Sequence, residues 1–198
     1  MKFFVVHYTP LTERKHNIIK QLEKANITDY EFVETYDKEV LTTTDLAKFS
    51  NMRMTEISLF LKNIDIFKRE IDETVVIMED DAILIDNFKE RLEQYLTILE
   101  KMDWDIVFSG GCCNIHARTE PGRIFYETNN SRGTCMYIMN KGVCKKINDI
   151  INNEIQIMKP IDDWFCLMNR KYILKYLLSE PELVIQGSEI GVYNSAIR

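Results

Sequence analysis

The sequence predicts an α/β chain with a mostly parallel sheet and helices packed on its faces. Two observations predict it. In the first half, short and almost wholly apolar runs, of the kind that form strands covered on both faces, alternate with longer stretches whose apolar residues recur at helical spacing. No repeat, low-complexity tract or Pro/Gly-rich linker interrupts the 198 residues, so nothing marks a domain boundary.

The elements follow in order. Phe3 to His7 is β-rich and apolar, like a central strand. Thr12 to Ala25 carries Ile18, Ile19, Leu22 and Ala25 at helical spacing, and Glu31 to Tyr36 reads as a second strand. Met54 to Ile71 places Ile57, Phe60, Leu61, Ile64 and Phe67 on one helical face. Thr74 to Met78 is a buried strand that stops at Glu79-Asp80-Asp81. Phe88 to Met102 reads as a helix, and Asp105 to Phe108 as a strand closed by Ser109-Gly110-Gly111. The second half is less regular. Short strands are expected at Arg123 to Glu127, Thr134 to Met139 and Leu183 to Ile185. Helices are expected near Lys141 to Ile151 and from Pro160-Ile161-Asp162-Asp163-Trp164 onward, where either acid could cap free amides.

Composition narrows the function classes. Hydrophobic residues make up 45% and charged residues 28%, the balance of an ordinary globule. The net charge of −6, with no Lys/Arg run, leaves no electrostatic footprint for nucleic acid or an anionic membrane. No stretch approaches the ~20 apolar residues of a membrane span, and the N-terminal run is too short for a signal peptide. The five cysteines (Cys112, Cys113, Cys135, Cys144, Cys166) lack CxxC spacing and read as reduced thiols. A cytoplasmic protein is expected, in a bacterium or, for a viral chain, in the host cytosol.

The chemistry centres on Glu79-Asp80-Asp81. Ligands of open α/β sheets bind at the carboxyl ends of strands, where this triplet lies. Three crowded, partly buried carboxylates are costly unless a cation neutralises them, and hard oxygen ligands suit Mn²⁺ or Mg²⁺. Alternation would put Glu79 and Asp81 on one side. Alternatively, the acids only cap a following helix in solvent. A second pair, Asp162-Asp163, begins a later helix beside Trp164. A carboxylate there could act as general base and the ring could stack on an acceptor sugar; alternatively they are a helix cap and a core tryptophan.

These segments together resemble glycosyltransferase family 25. Val76-Ile77-Met78-Glu79-Asp80-Asp81-Ala82 resembles its LEDD segment, and Phe4-Val5-Val6-His7-Tyr8 through Glu13-Arg14 its opening strand and loop. Thr35-Tyr36-Asp37 falls at its second-strand loop, and Thr55 to Asn63 is similar to its "GEIGCxLSH" helix. Trp104 to Gly110, Thr134 to Met139 with Gly142, and the tail from Pro181 through Gln186 to Ser195-Ala196-Ile197 match later motifs in order. The family's Ser-His at the end of that helix is Lys62-Asn63 here, so the role of that histidine is not carried over.

The resemblance implies a single-domain GT-A fold over residues 1–198, Rossmann-like with a mixed, mostly parallel sheet flanked by helices. About 1–110 would bind the nucleotide-sugar and about 111–198 the acceptor. It implies inverting transfer of galactose or glucose from a UDP-sugar to a hydroxyl of a glycan or glycoprotein acceptor. Asp163 or Asp162 would be the base. Asp81, with Glu79 or Asp80, would hold Mn²⁺ (or Mg²⁺). His7, Tyr8, Thr9, Tyr36 and Asp37 would hold base and ribose, with Glu56 also on the donor side. Arg14 would meet phosphate or remain a solvated first-turn charge, and Gln186 and Ser195 would close over the diphosphate. His16 and His116 read as surface residues. A metal-dependent phosphohydrolase or nucleotidyltransferase uses similar acidic turns, and a non-catalytic glycan-binding domain is the non-enzymatic alternative.

Overall fold

The computed structural model describes residues 1–69, 71–111, 120–131, 133–172 and 174–194. The first half runs β1 (Lys2–Val6), α1 (Thr12–Lys24), β2 (Tyr30–Val33), α2 (Thr43–Leu46), α3 (Met54–Phe67) and β3 (Val75–Glu79). Next come β4 (Ala82–Leu84), α4 (Phe88–Leu99), β5 (Ile106–Phe108) and β6 (Gly110–Gly111). The chain ends with β7 (Phe125–Thr128), β8 (Met136–Met139), α5 (Val143–Asn153), α6 (Ile161–Tyr172), β9 (Tyr176–Ser179) and β10 (Val184–Gln186).

Seven strands form one sheet in the order β2-β1-β3-β8-β5-β9-β7. β2, β1, β3, β5 and β9 run one way and β8 and β7 the other, so the expected mixed, mostly parallel sheet is what the chain forms. β8, from the second half, lies between β3 and β5 of the first. The sequence-predicted halves therefore share one sheet. A second, three-stranded sheet, β4-β10-β6, sits beyond the ends of β3 and β5.

Strand alternation builds the two cores. Phe3, Val5, Val76, Met78, Met136 and Ile138 point to one face, where Ile18 and Leu22 of α1 and Leu92 and Tyr95 of α4 cover them. Phe4, Val6, Val75, Ile77, Tyr137 and Met139 point to the other, under α3, α5 and α6. With both faces covered, the strands need no polar alternation, which is why they read as continuous apolar runs. On α6, Ile161, Trp164, Phe165 and Met168 form an i, i+3, i+4, i+7 stripe turned into the core, leaving Asp162 and Asp163 off it. Phe165 meets Phe67, Phe108, Tyr137, Trp164 and Tyr176 in edge-on contacts.

The topology places the site. From β1 the chain goes outward to β2, then returns past β1 to β3, so the strand order reverses at β1 and a crevice opens over the carboxyl ends of β1 and β3. Beyond β10 the chain folds back toward it, with Gly187 N donating to the Asp81 carbonyl at 2.8 Å. A Cβ on Gly187 would meet that carbonyl at 2.9 Å and the Tyr193 ring at 2.6 Å, so only glycine fits. Cys135, Cys144 and Cys166 form no disulfide, and among the described residues no helix is long and apolar enough to cross a membrane.

Phe165→Ala should lower unfolding free energy by about 3–5 kcal/mol, because a large buried ring leaves a cavity its aromatic neighbours cannot close. Urea denaturation checks this; a loss below about 1 kcal/mol would contradict the packing described.

Candidate functional site

The parallel register of β1 and β3 pairs Val6 with Glu79. The residues that follow each strand therefore meet: Asp80 N donates to the Val6 carbonyl at 3.1 Å, and the Asp80 carboxylate turns toward the loop after β1. Its Oδ2 lies 2.7 Å from His7 Nδ1 and accepts from Tyr8 N at 3.3 Å, and its Oδ1 accepts from Arg14 Nη1 at 2.9 Å. His7 and Asp80 are buried. So is Arg14, which shares the inward stripe of α1 with Ile18 and Leu22. The guanidinium also donates to the Asn194 carbonyl and lies under the Tyr193 ring, 5.2 Å from its centroid. Tyr193 in turn accepts from Asn17 Nδ2 at 3.0 Å. His7, Asp80 and Arg14, expected to touch the donor, form a cluster that ties β1, β3, α1 and the tail together, and Arg14 and Asp80 also line a cleft. Arg14 is thus a buried charge rather than a solvated one.

Asp81 is 3% exposed, and its Oδ1 has no hydrogen-bond partner. Oδ2 lies 3.8 Å from Arg14 Nη1 and 3.5 Å from Gln186 Nε2. Burial pushes the Asp81 carboxyl up against opposing hydrogen bonds from Ser188 and Gln186 and the charge of Arg14. Glu79, whose Oε1 accepts from Thr134 Oγ1 at 2.7 Å, is pushed up to about 8 by burial and by the Asp81 charge. Two carboxyls that both resist ionising describe a pocket short of positive charge. Among the described residues no three His, Cys, Asp or Glu side chains converge as a ready-made metal cage. Two carboxylates completed by ligand oxygens need no third, and the orphaned Asp81 Oδ1 suits that arrangement.

Two clefts adjoin this point. The second acidic pair comes to the one of about 720 Å³, whose walls include Glu56, Glu79, Thr134, Asp162, Asp163 and Gln186. Asp162 is half-buried and Asp163 exposed. Burial raises the Asp162 carboxyl, which also accepts from Asp163 N at 2.9 Å. Its charge adds to the crowding felt by Glu79. Glu56, which borders this cleft, caps α3 by accepting from Arg53 N at 2.8 Å and pairs with the Arg53 guanidinium at 2.9 Å.

The other cleft, about 530 Å³, is walled by Tyr8, Arg14, Lys38, Thr55, Lys62, Glu79 and Asp80 among others. Its three cations are each ion-paired, Arg14 with Asp80, Lys38 with Glu39 and Lys62 with Asp37. Lys62 is 2% exposed and donates to the Thr35 carbonyl at 2.6 Å and to Asp37 Oδ1 at 2.7 Å. Asp37 Oδ2 accepts from Thr9 N at 3.2 Å and from the Thr9 hydroxyl. Burial works against ionising Asp37, but the bonds from Lys62 and Thr9 outweigh it and hold the carboxyl below its usual value. Asp37 and Thr9, expected as ligand contacts, therefore set loop geometry, and left-handed Tyr36 (φ 63°) turns the chain between Thr35 and Asp37. Sequence reasoning passed over Lys62 and Thr134; a lysine on the apolar face of α3 was the available signal for the first. Trp164 is a correction: its ring is 3% exposed and packs on Phe60 at 5.5 Å and Phe165 at 5.6 Å, leaving no face for a sugar. Ser195 and His116 lie outside the described residues.

No family model matches the chain, and no curated protein does. Solved structures with a similar chain path include S. aureus TarS 1–349 (15% identity, TM-score 0.43, covering 95% of this chain and 61% of that one). A197 from STIV is 13% identical with a TM-score of 0.39, over 89% of this chain and 80% of that one. The nucleoside-diphosphate-sugar pyrophosphorylase from Vibrio cholerae RC9 is 11% identical with a TM-score of 0.36, over 90% and 72%. Likeness at this level assigns no activity.

Two outcomes follow from the cluster. Arg14→Met should cost about 3–5 kcal/mol in urea unfolding, since Asp80 would keep a buried charge without its cation. The same change should speed protease cleavage of the 187–194 segment; unchanged cleavage would show that Arg14 does not hold the tail. Glu79 is raised in the folded state, so the metal-free protein binds an extra proton there and loses stability as pH rises toward about 8. Glu79→Gln should then raise Tm at pH 8 and leave it nearly unchanged at pH 4.5, measured in EDTA. Equal effects at both pH values would contradict the crowding.

Proposed function

We propose that the chain is a metal-dependent, inverting hexosyltransferase that moves galactose or glucose from a UDP-sugar to a hydroxyl of a glycan or glycoprotein. One observation carries the reading: Glu79, at the end of β3, and Asp162, at the start of α6, border one cleft, and Glu79 also borders a second, between the ends of β1 and β3 and helix α3. Donor and acceptor would occupy the two clefts and meet at Glu79.

Asp81 and Glu79 would hold Mn²⁺ or Mg²⁺ jointly with diphosphate oxygens. When bound, the ion neutralises the charge that develops on the departing nucleotide. The protein's own residues do the remainder. Thr134 orients Glu79 by donating to Oε1, and Gln186 with Ser188 steadies Asp81. Asp162 takes the proton from the acceptor hydroxyl. Its half-buried carboxyl binds a proton more readily than an ordinary aspartate, which favours it over exposed Asp163 as the base. Inversion requires only this base on one side and a stabilised leaving group on the other.

Calorimetry should show UDP binding that needs Mn²⁺ and vanishes in Asp81→Ala; metal-independent or absent binding would remove this reading. Asp162→Asn should lower turnover by about 10²–10⁴ with UDP affinity nearly intact, and Asp163→Asn far less. The reverse order would make Asp163 the base. Formation of a nucleotide-sugar from a nucleoside triphosphate and a sugar phosphate would replace glycosyl transfer with nucleotidyl transfer.

A further inference from the structure

The buried ammonium of Lys62 has a capacity that the fold leaves unused. Nζ carries three donors, and the protein takes two: the Thr35 carbonyl at 2.6 Å and Asp37 Oδ1 at 2.7 Å. Lys62 is 2% exposed yet forms part of the wall of the cleft at the ends of β1 and β3. A third N–H at such a wall, away from bulk water, is satisfied only by an acceptor that enters the cleft.

The charge around Lys62 says which acceptor. Asp37 is held ionised at 2.7 Å, so the pair is close to neutral as a unit. A neutral unit has little to offer a phosphate and suits an uncharged oxygen. Arg14 is likewise paired, with Asp80, so charge for a phosphate would come instead from the metal proposed at Glu79 and Asp81. Lys62 is also tied to the loops after β1 and β2, through Asp37 to Thr9 and directly to the Thr35 carbonyl, on the wall of the cleft that Glu79 and Asp80 also line.

We propose that Lys62 contacts the nucleoside of the donor, giving its third N–H to a carbonyl of the base or a hydroxyl of the ribose, and is a binding residue of the donor cleft. The inference rests on the nucleotide-sugar reading above. It gives a function to the position where the resembling family has a serine, and one that acts on affinity and not on the chemical step.

Uridine, UMP and UDP, each competing with a fluorescent UDP-sugar in the presence of Mn²⁺, test it in the wild type, Lys62→Met and the charge-balanced Lys62→Met/Asp37→Asn. Removing one hydrogen bond from a charged donor should weaken all three ligands alike, by about 10–100-fold. The double variant guards against misfolding, because it leaves no buried charge unpaired. It should keep a near-wild-type Tm and show the same uniform loss. A loss confined to UMP and UDP, uridine that fails to compete with the wild type, or full affinity in a folded double variant would each overturn the assignment. No binding of UDP by the wild type would instead count against the donor reading itself.

Discussion

The carboxylate of Asp80 is the constraint on which the rest of the structure depends. An acidic triplet at the end of a buried strand is a poor way to end that strand, since three like charges crowd in a medium that screens them weakly. The fold answers by turning the middle acid inward. Asp80 accepts from Tyr8 N and Arg14 and sits 2.7 Å from His7 Nδ1. Those three residues belong to the loop after β1 and to α1, so neutralising one charge also fixes how strand, loop and helix meet. The Arg14 fork then reaches Asn194, and the tail closes over the same point.

With Asp80 compensated internally, Glu79 and Asp81 are left as the pair whose charge the protein does not balance. Arg14 comes no nearer to Asp81 than 3.8 Å, and Asp81 Oδ1 meets no donor. The division of labour is physical: the middle carboxylate stabilises the fold, while its neighbours remain in a state that a divalent cation would relieve. Under the proposed reading, the cleft at the ends of β1 and β3 would bring that cation its ligand and the Asp162 cleft a base.

Much of this was legible in the sequence, for reasons that can be named. Strands buried on both faces read as apolar runs, so β1, β3, β5 and β8 were visible with their carboxyl ends, and the acidic turn with them. β9 was not, because Tyr176-Leu177-Leu178 continues the apolar spacing of the preceding helix and only pairing with β5 and β7 makes it a strand. β4 and β6 are too short to show a period and exist through β10. Within the site, residue identity pointed to the right place more often than to the right partner. Tyr8, Arg14 and Asp80 do line the cleft at the ends of β1 and β3, whereas the contacts of Thr9 and Asp37 are with each other and with Lys62. Periodicity marks two of these side chains as inward: Arg14 lies in step with Ile18 and Leu22, and Trp164 in step with Ile161 and Met168. Lys62 occupies the same kind of position on α3, and no rule based on hydrophobic spacing assigns a partner to a buried lysine.

The central claim is that Glu79 and Asp81 form a cation site at the junction of the two clefts. Anomalous diffraction at the manganese edge from crystals soaked with Mn²⁺ and UDP addresses it most directly. The account predicts one peak beside Asp81 and Glu79, next to the diphosphate, with the nucleoside extending toward Lys62. Ordered UDP with the peak elsewhere, or with no peak beside Asp81, would contradict it.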